Sequence, residues 1–471
     1  MSKQPNRHED SEFNELLIQY QNLIAGYPHS FIDEEAFGRI VDYYDDTNEL
    51  TRALEAADVA INQYPLSGNL MVKKADLLIV VKKYREALRM LERAESLSDE
   101  DINIYILKAD AYLALNQPER AEETMQEALG KFDGYDKIDL LFELSDVFDD
   151  YEDFEKVFDC LKIILELDPT NEEALNKICF WTEYTGRNEE SILLHRAILD
   201  DHPFSELAWF NLAAAYQGLK LYEKAIDAYQ FAIAIDEKFE FAYRNLADAY
   251  IRTRKFTLAI EALQTVLELA QPEEVILEAI GHCYDKLNDY ATARTYYRRA
   301  LHQNPEDSML FYKIAGTYMS EGEWNKAINH LKTALRLSKY QTDYNLAMGQ
   351  CLVQLEQYAD AMPYLGLVVS MKPKNLSGWM TMLQCLYRGG YYEEGLQALS
   401  EEMPRSIIKP VFHLYKAAFL FAVGRAKDAQ IFLEHGMAPN ARLIKKLNDL
   451  DPAILKSPQI LDAVARTGKK I

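Results

Sequence analysis

Alanine returns at a nearly constant interval of 34 residues along most of this sequence. Twelve positions share the interval, nine of them are alanine, and only the step from the third to the fourth position is longer, at 36 residues. The positions are Ala53, Ala87, Ala121, Val157, Ser191, Ala225, Ala259, Ala293, Ala327, Ala361, Gly395 and Ala429. A fixed period of this length is typical of a chain that stacks small units, each of which needs its neighbours to bury its apolar surface. We therefore expect the chain to form a stack of twelve units, in each of which one of the residues above is the anchor. The units begin at Glu34, Gly68, Ile102, Ile138, Glu172, Glu206, Glu240, Glu274, Ser308, Thr342, Leu376 and Pro410.

Each unit contains two apolar stripes at helical spacing. In the sixth unit, Trp209, Leu212 and Tyr216 form the first stripe, and Ala225 and Tyr229 belong to the second. A short turn, GLKLY, separates the two stripes. The small residues allow two helix backbones to approach closely, while the aromatic side chains fill the space beside them. The pattern therefore predicts an all-α chain in which every unit is a pair of antiparallel helices.

The pattern resembles the tetratricopeptide repeat (TPR) family, whose motif is W-x₂-L-G-x₂-Y followed by alanine, an aromatic residue, alanine and proline. The sixth unit matches the motif at Trp209, Leu212, Ala213, Tyr216, Ala225, Tyr229 and Ala232. The eighth unit matches it at Ile280, Gly281, Tyr284, Ala293, Tyr297, Ala300 and Pro305. The resemblance covers residues 34–443 and about twelve repeats. It implies a right-handed α-α superhelix, a TPR solenoid, in which the first helix of each pair lines a concave groove.

Breaks in the pattern divide the chain into five expected segments. They are 1–33 (polar segment and cap helix), 34–171 (acidic units one to four, with a two-residue insertion near 133–136), 172–375 (units five to ten), 376–443 (irregular units eleven and twelve) and 444–471 (C-terminal cap helices). The fifth unit has Thr182, Ser191 and His195 where the motif has small or aromatic residues. These polar residues predict either a soft joint or ordinary decay of the repeat.

The charge is large, negative and unevenly distributed. The whole chain has a formal net charge of −24, and residues 1–170 carry 17 Lys/Arg against 38 Asp/Glu, a net of −21. An acidic surface repels phosphate groups, which argues against nucleic acid as a partner. No stretch reaches the roughly 18–20 apolar residues that a membrane helix needs, so membrane insertion is not expected either.

The cysteines and the first residues indicate a compartment. The five cysteines are odd in number and widely spaced, which favours free thiols in a reducing environment over disulfides. The opening MSKQPNRHED lacks the apolar core of a signal peptide. The sequence therefore predicts a cytoplasmic protein.

Motifs that carry catalytic chemistry are missing from the sequence. It contains no Walker A, Rossmann, nucleophile-elbow, H-E-x-x-H or C-x-x-C motif, so we expect no enzyme, no cofactor and no metal site. An enzyme built wholly from repeats stays open as an alternative.

Aspartates recur on the expected inner face of units one to four. The ninth position of these units is Asp42, Asp76, Asp110 and Asp146 in turn. Two neighbouring positions add Asp45 and Asp46 in the first unit and Asp149 and Asp150 in the fourth. Stacked helices lie about 8–10 Å apart, so such like charges interact at physiological salt, where the Debye length is about 8 Å. The pattern predicts a groove for a Lys/Arg-rich peptide; its alternative is a solvated face that keeps the protein in solution.

Polar residues in the middle units suggest a second mode of binding. Asn211 and Asn245 share the sixth position of consecutive units, and Arg244, Arg252 and Lys313 flank them. A side-chain amide can satisfy both groups of a peptide bond. By the resemblance, asparagine at this position holds extended peptides. These five residues are therefore candidates for peptide binding.

The function that these patterns predict is a non-enzymatic scaffold or adaptor. It binds a protein or extended peptide in its concave groove, and its acidic N-terminal third favours basic segments. The alternative is a structural or regulatory subunit that acts through its convex face or by self-association. The sequence predicts neither the identity of the partner nor the oligomeric state.

Overall fold

Twelve helical hairpins follow one another along the chain. The computed structural model describes residues 7–27, 31–98, 100–407 and 409–466, and in them the regular structure is helical. Helix α1 (Arg7–Ile24) precedes the hairpins. The first helices of the hairpins are α2 (Glu34–Asp46), α4 (Gly68–Val80), α6 (Ile102–Ala114), α8 (Gly134–Asp150), α10 (Glu172–Thr185), α12 (Glu206–Gly218), α14 (Glu240–Arg252), α16 (Glu274–Lys286), α18 (Ser308–Ser320), α20 (Thr342–Gln354), α22 (Leu376–Arg388) and α24 (Pro410–Ala422).

The second helices run back along the first ones. They are α3 (Leu50–Gln63), α5 (Tyr84–Glu95), α7 (Pro118–Lys131), α9 (Phe154–Leu167), α11 (Asn188–Asp201), α13 (Tyr222–Ile235), α15 (Phe256–Leu269), α17 (Tyr290–Gln303), α19 (Trp324–Leu337), α21 (Tyr358–Met371), α23 (Tyr392–Gln397) and α25 (Ala426–Met437). A π turn, Ala398–Glu402, continues the short α23. The predicted all-α fold of stacked helix pairs is confirmed.

The repeat predicted where the first helices begin. Eleven of the twelve first helices begin at the first residue of their unit, and only α8 begins earlier, at Gly134 instead of Ile138. The predicted insertion near 133–136 therefore extends α8, which has 17 residues. Side-chain caps define many of these starts. At Asp33, Ser67, Asp101, Asn171, Ser205, Asp307 and Asn375 a side-chain oxygen accepts a hydrogen bond from a backbone N–H of the first turn.

A left-handed residue makes the turn in every hairpin. The fifteenth position of all twelve units has positive φ, between 57° and 81°. The residues are Asn48, Lys82, Asn116, Glu152, Gly186, Lys220, Arg254, Asn288, Gly322, Glu356, Gly390 and Gly424. Glycine adopts this conformation without a steric penalty, whereas most other residues do not. The turn geometry is therefore kept throughout the chain although only four of the twelve residues are glycine.

The chain divides by its internal contacts into two large compact units, Met1–Ala249 and Tyr250–Ile471. Each compact unit contains several of the repeat units. In the first unit the anchor residues Ala53, Ala87 and Ala121 are completely buried beside large side chains such as Tyr105. In the second unit Ala293 is buried in the same way. The division falls inside α14, and the five segments expected from the sequence stay a prediction.

The two ends of the repeat array are covered by flanking segments. At the N-terminal end, Tyr20 of α1 is buried, and its ring lies 6.3 Å from that of Phe37. At the C-terminal end, 3₁₀ turns at Ala441–Asp449 and Ile454–Lys456 precede α26 (Pro458–Arg466), and the first turn and α26 contact α24. The residues that contact α24 here are thus partly in 3₁₀ turns, and their assignment to a separate segment of cap helices stays a prediction. Residues 1–6, 28–30 and 467–471 of the two predicted terminal segments lie outside the described residues.

The polar residues of the fifth unit form a connected internal network. Thr182, Ser191 and His195 are all buried. His195 Nδ1 donates to the Ser191 carbonyl oxygen at 2.8 Å, and its Nε2 accepts from Asn211 Nδ2 at 3.2 Å, which assigns the neutral Nδ1–H tautomer. Burial lowers the pKa of His195 to about 4. In the fifth repeat unit, the segment predicted as a soft joint, the buried His195 ring is thus hydrogen-bonded at both of its nitrogens.

The five cysteines carry free thiols. Cys160, Cys283, Cys351 and Cys385 are buried, and Cys179 is half-buried. Burial raises the pKa of Cys283 to about 11 and of Cys351 to about 12. The cysteines are thus free thiols, as the sequence predicts, and four of them are buried.

Candidate functional site

The four aspartates at the ninth position lie on the consecutive first helices α2, α4, α6 and α8. The two outer ones form ion pairs with lysines of the following first helix in each case. Asp42 accepts a hydrogen bond from Lys73, and Asp146 lies 3.8 Å from Lys177 Nζ. Both pairs are at the surface, where such contacts contribute little to stability. The negative charges of Asp42 and Asp146 are thus partly neutralised by lysines of the same chain.

The two inner aspartates, Asp76 and Asp110, form no such ion pair with any residue that the structure describes, and their pKa values are shifted. Asp76 is exposed at the surface, yet desolvation by the surrounding protein raises its pKa, the carboxylates of Asp45 and Asp110 raise it further, and Lys73 lowers it. Burial also raises the pKa of Asp110, as does the charge of Asp150, against a lowering by the Tyr151 hydroxyl. Both shifts mean that the folded chain disfavours the charged form of these groups.

These interactions define a continuous line of carboxylates, Asp45, Asp76, Asp110 and Asp150, which we call the acidic row. It takes one residue from each of four consecutive first helices. Of the predicted site residues, the structure therefore connects Asp76 and Asp110 with Asp45 and Asp150. Asp46 and Asp149 are exposed beside it.

Tyr151 is a member of the site that the sequence analysis missed. Its hydroxyl donates to Asp110 Oδ1 at 2.6 Å, and burial together with the Asp110 carboxylate raises the Tyr151 pKa. It follows α8 directly and ends that helix. Lys73 and Lys177 were missed as well. Both occupy the sixth position of their units, one turn before the aspartate position, and this spacing is the signal that would have identified them.

The acidic row is unfavourable for folding. Two unit charges about 9 Å apart in water repel each other by about 0.5 kcal/mol, and more where helices displace water. Asp76 has two such neighbours, Asp45 and Asp110. The row therefore stores repulsion that a cation on this face would relieve, and it attracts positive charge from solution.

Asn211, predicted as a peptide clamp, is committed to the protein interior. It is 2% exposed, and its Nδ2 donates to the Leu175 carbonyl oxygen at 2.8 Å as well as contacting His195 Nε2. The fifth unit has histidine at a position that is tyrosine in the sixth and eighth units and leucine in most others, and the amide of Asn211 donates to that histidine. We therefore leave Asn211 out of the binding surface. Asn245 is half-buried and hydrogen-bonds the buried Tyr229 hydroxyl.

The basic residues predicted beside the asparagines are distributed over both units. Arg244, in the first unit, forms an ion pair with Glu240. Arg252 and Lys313 belong to the second unit, where Lys313 forms an ion pair with Glu278. The structure thus gives two of these cations carboxylate partners, and the role of this set in peptide binding stays a prediction.

In residues 7–27, 31–98, 100–407 and 409–466, no group of three or more His, Cys, Asp or Glu residues has an arrangement that could hold a metal ion. Within the same ranges, no helix combines the length and the apolar character that a membrane-crossing segment requires.

Three family models match the sequence. The model described as the tetratricopeptide repeat protein 21 C-terminal ARM domain matches residues 197–345. Two tetratricopeptide repeat models match residues 81–138 and 342–375. The matches fall in both units of the chain and follow the hairpins described above.

Curated relatives match parts of the chain. Tetratricopeptide repeat protein 21B of Xenopus laevis is 26% identical over 141 residues, which are 28% of this chain and 11% of the relative. BBSome complex member BBS4 of Mus musculus is 23% identical over 201 residues, 41% of this chain and 37% of the relative. Cell division cycle protein 16 homolog of Homo sapiens is 30% identical over 102 residues, 21% of this chain and 16% of the relative. The chain thus spans between a tenth and two fifths of these relatives.

Solved structures resemble the chain at low sequence identity. The C-terminal part of a TPR repeat-containing protein from Cytophaga hutchinsonii has a TM-score of 0.43 and 16% identity, and covers 54% of this chain and 98% of that one. A chain of the APC/C hetero-tetramer Cut9–Hcn1 has a TM-score of 0.35 and 15% identity, and covers 97% of this chain and 93% of that one.

Proposed function

Because this chain is a tetratricopeptide repeat protein, whose fold indicates a protein-interaction scaffold, we propose that it is a non-enzymatic scaffold that binds a basic partner. The ligand is a lysine- and arginine-rich segment of another protein, bound along the acidic row on α2, α4, α6 and α8. The proposed compartment is the cytoplasm, where free thiols such as the five of this chain persist.

The observation that carries the proposal is the alignment of the acidic row, in which each of four consecutive first helices contributes one carboxylate. Desolvation and neighbouring carboxylates raise the pKa of Asp76 and of Asp110, which lie in the middle of the row. Aspartates that serve only to keep a protein in solution are better placed apart, since crowding them costs folding free energy. A row that costs stability and serves no packing purpose supports a binding role.

A basic segment matches the row in charge and in spacing. Consecutive first helices lie about 8–10 Å apart, and an extended chain in the polyproline II conformation advances about 3.1 Å per residue with three residues per turn. Every third residue of an extended segment therefore comes opposite the next carboxylate. Each guanidinium or ammonium would relieve repulsion and form a charge-assisted hydrogen bond. The binding should weaken with salt.

A scaffold role is also in keeping with the relatives. One of them carries the name BBSome complex member BBS4, which describes a protein that belongs to a complex. The matched segment is 37% of that relative. We propose from this that our chain too works within a protein assembly.

The test is an affinity purification from native cytosol with three forms of the full chain. The first is wild type, and the second replaces the four aspartates of the acidic row by asparagine. The third is a charge-matched control that changes four exposed glutamates of the second helices α7, α9 and α11 to glutamine, namely Glu119, Glu123, Glu166 and Glu189. All three are used at low and at moderate salt, and bound proteins are identified by mass spectrometry.

We expect a partner that is lost from the row variant, is retained by the control and is released as salt rises. A partner that all three forms retain would refute the acidic row as the binding site. Such a result would favour the alternative in which the chain acts as a structural subunit through its convex face. A change in solution mass on variation of the row would point to self-association instead.

A further inference from the structure

Two grooves occupy the same place in the repeat, one in each unit of the chain. In the first unit, a cavity of about 540 Å³ lies between α11, α12 and α13. In the second unit, a cavity of about 380 Å³ lies between α19, α20 and α21. Counted within the repeat, both use positions 25, 28 and 29 of one hairpin and positions 4, 7, 22, 23 and 26 of the next. Their differences are therefore differences of side chains at equivalent positions.

The residue at the fourth position of the repeat differs between the two grooves, and the residues that form the floor of each groove differ as a result. In the first groove it is Trp209, whose ring stacks on Phe231 at 4.6 Å. In the second groove it is Asn345, a buried amide that donates to the carbonyl oxygens of Lys339 and Gln341 at 2.9 and 2.8 Å. With its nitrogen turned toward the loop, Asn345 places no ring in the groove. The floor is left to the apolar side chains Leu335, Met348, Pro363, Tyr364 and Leu367.

The charged side chains at the rims of the two grooves also differ. The first groove has Arg196 and Lys224 against Asp200 and Asp227, so its rim is balanced. The second groove has Lys332, Arg336 and Lys339, and none of its described lining residues is acidic. These three cations follow one another along α19 and just beyond its end, at i, i+4 and i+7, and all three are exposed. They form a basic edge in a chain with a net charge of −24.

The three cations make no ion pair among the described residues. Lys339 Nζ lies 5.6 Å from the ring centroid of Tyr340, and no carboxylate is found among the described residues that line the cavity. By contrast, other cations of the second unit have acidic partners, as Lys313 and Arg294 do with Glu278 and Glu321. An apolar floor beside an unpaired basic edge is complementary to a ligand with the opposite charge and an apolar anchor.

We propose that the groove between α19, α20 and α21 binds an acidic segment of a partner protein that carries a large apolar residue. The apolar residue enters the cavity, whose volume is within the range of about 300–1,000 Å³ that ligand sites occupy. Aspartate or glutamate side chains beside it pair with Lys332, Arg336 and Lys339. This site is separate from the acidic row, lies in the other unit and selects the opposite charge.

A direct test uses fluorescence anisotropy with purified full-length protein and a labelled probe of repeated Glu-Glu-Leu-Phe. A second probe has serine in place of leucine and phenylalanine. The first variant is Lys332→Glu/Arg336→Glu/Lys339→Glu. Its control, Lys286→Glu/Lys427→Glu/Lys445→Glu, makes the same change of net charge at exposed lysines of the same unit. A third variant, Leu367→Glu, alters the half-buried floor and keeps a good helix former.

The wild type should bind the Glu-Glu-Leu-Phe probe at least tenfold more tightly than the serine probe. The groove variant and Leu367→Glu should each weaken binding at least tenfold, while the control changes it less than threefold. Circular dichroism and melting temperature verify that each variant is folded. Equal losses in the groove variant and the control, unchanged binding by Leu367→Glu, equal affinity for both probes, or no binding to wild type would each overturn the proposal.

Discussion

The buried His195 makes a sharp prediction about acid stability. It is completely buried and bonded in its neutral form, and burial lowers its pKa from 6.5 to about 4. The bond from its Nδ1 to the Ser191 carbonyl oxygen opposes that shift in part. The unfolded chain takes up a proton below pH 6.5, whereas the folded chain does so only near pH 4. The contribution of neutral His195 to folding stability is therefore complete above pH 6.5. It falls between pH 6.5 and pH 4 and changes little below pH 4.

The magnitude follows from the size of the pKa shift. Each pKa unit corresponds to about 1.4 kcal/mol, so the shift from 6.5 to about 4 gives a loss of about 2 kcal/mol at pH 5 and about 3 kcal/mol at pH 4, relative to neutral pH. The loss should be local, because each hairpin of a repeat array contacts only its neighbours. It should therefore appear in α10, α11 and α12, whose residues surround the ring.

Hydrogen exchange measured by mass spectrometry resolves this effect along the chain. The opening free energy of peptides from α10, α11 and α12 is measured between pH 7 and pH 4.5, after correction for the intrinsic exchange rate, in wild type and in His195→Phe. Phenylalanine keeps a ring at the position that is tyrosine in the sixth and eighth units. Asn211 retains its bond to the Leu175 carbonyl oxygen in this variant.

His195→Phe should lack the extra loss of opening free energy that wild type shows between pH 6.5 and 4.5. His302→Asn, a change at an exposed histidine of the second unit, should behave as wild type in these helices. The same pH dependence of α10, α11 and α12 in wild type and His195→Phe would refute the assignment of a buried neutral histidine.

Three further perturbations test other parts of the account. Asp76→Asn and Asp110→Asn should each raise the free energy of unfolding by about 0.5–1 kcal/mol, because the raised pKa of each group shows that the folded chain disfavours its charge. Thermal melting at low and at high salt measures this gain and how far salt screens it. Lys82→Gly should stabilise by about 0.5–1 kcal/mol in urea unfolding, because φ of 62° costs lysine more than glycine loses in chain entropy. Gly395→Ala should destabilise by about 1–3 kcal/mol, because a Cβ there would lie 2.2 Å from the Phe419 ring, and a double-mutant cycle with Phe419→Ala should show a favourable coupling.

Each of these predictions has a clear contrary result. A lower melting temperature for both asparagine variants at low salt would show that the two carboxylates stabilise the fold. A loss of stability in Lys82→Gly would show that lysine side-chain contacts outweigh the turn conformation. Strict additivity of the glycine and phenylalanine changes would show that the close contact is relieved elsewhere.

The period of the repeat explains why most of the fold could be predicted. A 34-residue interval fixes where a hairpin begins, and eleven of twelve first helices begin at the expected residue. The exception, α8, shows the limit of such reasoning, because an insertion can extend a helix as readily as a loop. The left-handed turn residue was not detectable as a motif, since Lys82 and Glu152 occupy the same conformation as Gly186.

The positions of the aspartates in the site could be predicted from the sequence, but the residues with which each of them interacts could not. The periodic aspartates of the first helices could be read from the sequence, because the helical repeat fixes their face. Which of them interact depends on side-chain direction and on residues of neighbouring hairpins. Lys73 pairs with Asp42, and the carboxylate of the first repeat unit that raises the pKa of Asp76 is Asp45. Asn211 was assigned to the groove from its position alone, and the structure turns it inward because His195 needs a donor.

The central claim, that the acidic row binds basic segments, is tested most directly with a defined ligand. The affinity of a labelled twelve-residue peptide with arginine at every third position and serine elsewhere is measured for full-length wild type, the row variant Asp45→Asn/Asp76→Asn/Asp110→Asn/Asp150→Asn and the glutamate control, at about 50 and 200 mM salt. We predict that the row variant binds at least tenfold more weakly at low salt, that the control binds within threefold of wild type, and that higher salt weakens wild type most. Equal affinities of the two variants would contradict the claim, since the binding would then depend on net charge and not on the row.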